Sequence, residues 1–183
     1  MKKHTIRKGK LRTNQGFSML EVLISLVLLT SVLLGATAMQ LTSLQNNRGA
    51  FYRSQASIIA ADIADRIRVN SSYAASSMAA YSFNSVSSAI PANGNCITAE
   101  EGCTAASLAQ QDLREWAENF SDVAGVGNDN SNYTALLPGG SGSVTASGAI
   151  YMVQVNWTEL DWNITTDTNK ALTTKSFTLD FSL

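Results

Sequence analysis

Apolar and polar positions fall into three regimes along the chain. From Phe17 to Leu41 the sequence reads FSMLEVLISLVLLTSVLLGATAMQL, apolar all round, without proline and with Glu21 as its one charge. About 20 such residues at 1.5 Å each span a hydrocarbon core, so the stretch can cross a membrane. The pattern then becomes amphipathic. Tyr52, Ala56, Ile59, Ile63 and Ile67 step by four, three, four and four and share one helical face. Asp62 and Arg66 stand at i and i+4 with the acid first, the orientation that supports a helix. One helix from about Phe17 to Val69 is predicted, its first half in lipid or among other helices and its second half packed on a head. Asn70 to Asn95 is rich in Ser, Ala and Asn, keeps no period, and predicts a surface excursion. Ala109, Leu113, Trp116 and Phe120 restore the helical step and predict a short helix over about 104–120. Thereafter the period is two. Tyr151, Val153, Val155 and Trp157, then Phe177, Leu179, Phe181 and Leu183, alternate with polar neighbours as half-buried strands do. A shorter strand near Ser143 to Ala146 follows the turn Leu137-Pro138-Gly139-Gly140. The predicted class is α+β: a long helix whose C-terminal half packs on an antiparallel sheet of three to four strands.

Charge divides the chain at the same place as hydropathy. Lys2, Lys3, Arg7, Lys8, Lys10 and Arg12 are six of the thirteen basic residues, and no acid precedes Glu21. Basic residues beside an apolar span favour the cytoplasmic side and fix its orientation. Without residues 1–16 the chain keeps seven basic against fourteen acidic side chains, a balance of -7. That sign speaks against a direct nucleic-acid partner, which needs clustered Lys and Arg on the working domain. Cys96 and Cys103 stand seven apart in a polar, glycine-containing stretch without histidine partners. This suits a disulfide loop in an oxidising compartment better than zinc ligation or thiol chemistry.

The residues for catalysis are missing. His4 is the only histidine and lies in the basic leader, which removes the commonest general base and zinc ligand from the rest of the chain. Gly125-Val126-Gly127 lacks the third glycine and preceding strand of a dinucleotide loop, and there is no Gly-Lys-Ser/Thr phosphate loop. The oxygen-rich run Asn128 to Asn132 lacks the ligand spacing of a calcium loop. Carboxylate pairs such as Glu100-Glu101 and Asp112-Glu115 read as solvated surface. Trp116 and Trp157 fall on apolar faces and read as core; Trp162, between the last two strands, is as well placed for a contact surface. The expectation is a non-enzymatic protein without a cofactor or metal.

Gly16-Phe17-Ser18-Met19-Leu20-Glu21 carries the most specific signal. It resembles the prepilin motif, in which a glycine ends a basic leader, an apolar residue begins the mature chain and a glutamate stands fifth in it. An ordinary signal peptide is the rival, with Ala36-Thr37-Ala38 as its best cleavage site, but the apolar run is too long and carries an early acid. The resemblance implies cleavage after Gly16 by a prepilin peptidase, N-methylation of Phe17, and pairing of Glu21 with a Phe17 amine. An ionisable group in hydrocarbon costs several kcal/mol unless compensated, which singles out Glu21 independently.

Further pieces resemble the PilV-type minor pilins, or type IV pilus modification proteins: Ala61 to Asn70, Cys103 followed by Asp112-Leu113-Arg114-Glu115-Trp116, then Leu137-Pro138-Gly139-Gly140 and Val153-Gln154-Val155-Asn156-Trp157. The organisation implied is a cleaved leader (1–16), a membrane-spanning and filament-core helix (17–41) and a periplasmic pilin head (42–183). Such a subunit sits in the inner membrane before entering the extracellular pilus. Its partners are the peptidase, other minor pilins, the major pilin, the inner-membrane assembly platform and membrane lipid. Its roles are pilus assembly and, through it, adhesion, twitching motility or DNA uptake. A type II secretion pseudopilin and an uncleaved, membrane-anchored periplasmic binding module are the alternatives.

Overall fold

A 51-residue helix, α1 (Met19–Val69), opens the structure. The computed structural model describes residues 16, 18–98, 100, 102–127, 133–160 and 172–183, which fall into two units divided between Gln45 and Asn46. In the first unit α1 is solvent-exposed on every side. In the second its buried stripe is Ala56, Ile59, Ala60, Ile63, Ala64 and Ile67, the face marked by the sequence, with Tyr52 packed at its margin. Full burial of each isoleucine contributes about 1.5–3 kcal/mol. The alanines, one turn apart, let other elements approach the helix axis.

After α1 come a short helix, α2 (Ser71–Ser76), a 3₁₀ turn (Met78–Tyr81) and a two-residue strand, β1 (Phe83–Asn84). The segment expected to be a surface excursion is therefore partly a structural layer: Ala74, Tyr81 and Phe83 are buried. No element in it exceeds six residues, too few turns or alternations for a period to build up. The helix α3 (Ala105–Ala117) follows, capped by Thr104 Oγ1, which accepts from Ser107 N–H at 3.1 Å.

Strands β2 (Ser141–Ser147), β3 (Ile150–Leu160) and β4 (Leu172–Ser182) complete a four-stranded antiparallel sheet in the order β1-β2-β3-β4. Phe83, Val144, Val153 and Leu179 share one cross-strand row on its inner face. β3 and β4 extend beyond the predicted limits, pairing as far as Leu160 with Leu172. Their outer ends lack an apolar alternation, so only the ladder defines them.

Two glycines fix the entry to the sheet. At Gly139 φ is +58°, and Gly140 N–H donates to Leu137 O at 3.0 Å, closing a Pro-Gly turn that few residues other than glycine accept. Gly142, on the inner face of β2, leaves the space that Trp116 of α3 and Phe120 just beyond it fill: a Cβ there would come within 2.6 Å of Trp116 Cη2 and closer still to Phe120. Trp116 and Trp157 are in the core, as their faces implied, whereas Trp162 lies outside the described residues.

Candidate functional site

The first candidate is the exposed half of α1. From Met19 to Leu44 every large apolar side chain is at least 50% exposed. Among the described residues α1 alone is long and apolar enough to cross a membrane. A continuous apolar surface of this extent needs lipid or protein around it. Glu21 is the only charge in it and stands in the first turn. Ser18 precedes the helix: its Oγ accepts from Leu20 N–H at 3.3 Å, and its carbonyl accepts from Glu21 N–H at 3.0 Å. Ser18 and Glu21 thus have the Ser-x-x-Glu spacing of a helix start, a signal legible in the sequence but not used there. A carboxylate in this turn also faces the positive end of the helix dipole.

Around Glu21 the helix presents a shallow cleft of Val22, Ser25, Leu26 and Leu29, and Ser25 Oγ donates to the Glu21 carbonyl at 2.7 Å. Gly16 is exposed, with open space where a Cβ would stand. Phe17 and the leader residues 1–15 lie outside the described residues.

A second cluster joins α1 to α3. Arg66 donates through Nε to Asp62 at 3.2 Å, through Nη1 to Glu115 Oε2 at 2.6 Å and more weakly to Asp112 Oδ1 at 3.5 Å. Tyr81 O–H donates to Asp112 Oδ2 at 2.8 Å and accepts from Asn70 Nδ2 at 3.0 Å. Asp112 is only 5% exposed. The reading of Asp112 and Glu115 as solvated surface is thereby corrected: spacing along α3 shows they are near each other but not that Arg66, on another helix, faces them. Burial pushes Asp112 above the usual carboxylate range, only partly offset by the Tyr81 hydrogen bond and the Arg66 charge. Burial also acts against the charge on Glu115, but the Gln111 hydrogen bond and Arg66 outweigh it and hold the carboxyl low.

The two acids therefore affect stability with opposite signs. Asp112, raised in the fold, contributes stability that is present below its unfolded pKa and lost as pH rises through its folded value. Glu115, lowered in the fold, contributes stability above its unfolded pKa, which is lost as pH falls through its folded value. Asp112→Asn is expected to match or exceed the parent in stability at neutral pH, with the gap closing as the medium acidifies. Glu115→Gln is expected to cost stability at neutral pH, and that cost fades in acid. Urea unfolding of the full chain from pH 3, about one unit below the ordinary carboxylate values, up to about pH 8, where both groups are ionised when unfolded, checks both slopes; parallel curves for the two variants would contradict the assignment.

Cys96 and Cys103 form a disulfide whose loop ends one residue before the Thr104 cap of α3. Gly94 N–H donates to Gln111 Oε1 at 3.1 Å, and Arg114 donates to Pro91 O at 2.9 Å and to Ala124 O, so α3 holds the loops on either side of it. No group of three or more His, Cys, Asp or Glu suited to a metal occurs among the described residues, and 128–132 lie outside them.

Two family models match adjoining parts of the chain. The prokaryotic N-terminal methylation motif matches residues 11–37, covering Gly16, Phe17 and Glu21. Type IV pilin Tt1218 matches residues 38–114, from the middle of α1 into α3. No curated protein and no solved structure matches the chain. The chain carries a type IV pilin domain headed by a prepilin N-terminal methylation motif.

Proposed function

We propose that this chain is a minor pilin, a structural rather than catalytic subunit of a type IV pilus. It is cleaved after Gly16 by a prepilin peptidase and N-methylated on Phe17. Residues 17–41 hold it in the inner membrane, with residues 42–183 as a periplasmic head, until it enters the extracellular filament. The observation that carries this reading is a single carboxylate, Glu21, five residues past a glycine, on a helix whose large apolar side chains are all exposed as far as Leu44. Such a surface can exchange lipid for neighbouring helices, and the lone charge then needs a partner of opposite sign. A Phe17 amine, freed by cleavage, is that partner. The order of Cys103, Asp112 to Trp116, Leu137 to Gly140 and Val153 to Trp157 supports the PilV-type subgroup over a type II secretion pseudopilin. Other minor pilins, the major pilin and the assembly platform are the partners of this role.

Intact-mass and N-terminal peptide mass spectrometry of the protein from its own cells tests the reading. The expected species begins at Phe17 and carries one methyl group on its amine. A chain retaining the leader would favour an uncleaved anchor, and an N-terminus near Thr37 to Gln40 would reveal an ordinary signal peptide.

A further inference from the structure

The sheet ends differently at its two sides. On one side β1 is two residues long, and the chain leaves it through a turn in which Asn84 Oδ1 accepts from Val86 and Ser87 N–H at 2.9 and 3.3 Å. Ser85 N–H still binds Gly142 O, so β1 and its turn cover β2 from Gly142 to Val144. On the other side β4 runs for eleven residues, pairs with β3 throughout, and has no strand beyond it among the described residues. Every second residue of such a strand turns its N–H and C=O away from the sheet. β4 contains neither proline nor glycine, and its register with β3 is unbroken, so no bulge blunts the edge.

The apolar layer beneath this edge is unfinished. Val144, Val153 and Val155 are fully buried, but Leu179 and Phe177, their neighbours on β4, are only half-buried. Next in the same file is Lys175, opposite Trp157. Lys175 is exposed and makes no ion pair with a described residue.

We infer that β4 is a docking edge for an extended segment of another polypeptide, which joins the sheet as a fifth, antiparallel strand. The exposed row of backbone groups selects an extended backbone, and the side chains beneath it select a pattern. Alternate residues of the incoming strand fall over the inner face, so apolar residues belong opposite Leu179 and Phe177 and an acid opposite Lys175. Read from its N-terminus, the segment has the order apolar-x-apolar-x-acidic. A second copy of β4 fits less well: with Phe177 and Leu179 opposite their counterparts, antiparallel pairing brings Phe181 against Lys175 and leaves the charge unmatched.

The test uses the full chain in detergent micelles and a fluorescein-labelled peptide, acetyl-Thr-Val-Thr-Val-Thr-Glu-Thr-amide. Saturable anisotropy, with slowed amide exchange confined to residues 172–182, is expected. Two peptides N-methylated on alternate backbone nitrogens separate strand addition from apolar adhesion. The set whose methyls face β4 should abolish binding, and the other should retain it. Lys175→Glu, an exposed change that leaves the core intact, should weaken this peptide at least about tenfold and favour its Glu-to-Lys counterpart. Absence of saturable binding, equal binding of both methylated peptides, or protection outside β4 would overturn the inference. Protection of β4 that grows with protein concentration without peptide would overturn it too, by making a second copy the occupant.

Discussion

Replacing Trp116 with alanine should lower the stability of the 46–183 unit by about 3–5 kcal/mol, the range for truncating a fully buried large aromatic. Trp116 is 0% exposed and touches each part of the core. Its Nε1–H donates to the Ile59 carbonyl of α1 at 2.9 Å. Its ring meets Phe120 and Phe83 edge-on, with centroids 5.0 and 6.2 Å away, and lies against the bare Cα of Gly142 on β2. Helix, sheet and connecting layer therefore lose a shared neighbour at once. Glycine at 142 has no side chain to swing into the void, so the cavity cannot collapse cheaply. A domain's whole stability is about 5–15 kcal/mol, so the loss is a large fraction of it. Trp116→Phe keeps most of the volume and loses the hydrogen bond, for roughly 0.5–1.5 kcal/mol from that bond. Urea unfolding of the full chain in detergent, followed by near-UV circular dichroism, checks both. Equal midpoints for Trp116→Ala and the parent would mean that the three contacts do not hold the head together.

The difference between these two losses also shows what sequence could reveal. Trp116 was legible as core because Ala109, Leu113 and Phe120 place it on an apolar stripe; nothing local indicates that its N–H reaches Ile59, 57 positions earlier. The α1 stripe from Ala56 to Ile67 and the strands β3 and β4 were legible for the same reason, since each keeps one period long enough to count; β2 was legible as a shorter strand, near Ser143 to Ala146, that follows the Leu137 to Gly140 turn. Tyr81 and Phe83 were not. They sit in a 3₁₀ turn and a two-residue strand, where burial is set by tertiary neighbours. Arg66 was half legible: its bond to Asp62 is one helical turn long, but Asp112 and Glu115 are brought to it across 46 and 49 residues by packing of α3. At the N-terminus the spacing of Gly16, Phe17 and Glu21 is itself the signal, so the candidate site is legible in the sequence alone. Structure adds the exposure of everything around Glu21 and the Ser18 contacts that start the helix.

Glu21→Ala should leave cleavage after Gly16 and methylation of Phe17 unchanged while nearly abolishing entry of the subunit into sheared filaments. Two explanations of Glu21 differ enough in magnitude for this experiment to choose between them. If the carboxylate only favours the start of α1, its interaction with the helix dipole supplies about 0.3–1 kcal/mol, and a 51-residue helix scarcely notices the loss. Incorporation would then stay near the parental level. If instead it pairs with a Phe17 amine on a neighbouring subunit, opposite charges about 4 Å apart attract by about 4 kcal/mol at an effective dielectric near 20. Losing that much at the register-setting contact reduces the equilibrium share of correctly docked subunits by roughly a thousandfold. Glu21→Gln separates shape from charge: it preserves length and polarity, removes the ion pair, and should fail almost as badly as alanine. Gly16→Leu provides the converse control, because it should block processing and leave the full-length chain in the membrane with Glu21 intact but no Phe17 amine to meet. Immunoblots of sheared filaments against membranes, with N-terminal mass spectrometry of each fraction, read all three variants. Normal incorporation of Glu21→Ala would remove the charge pair from the mechanism and leave Glu21 as a helix-start residue, whereas failure of all three assigns to one carboxylate and one cleavage-dependent amine the step from lipid to filament.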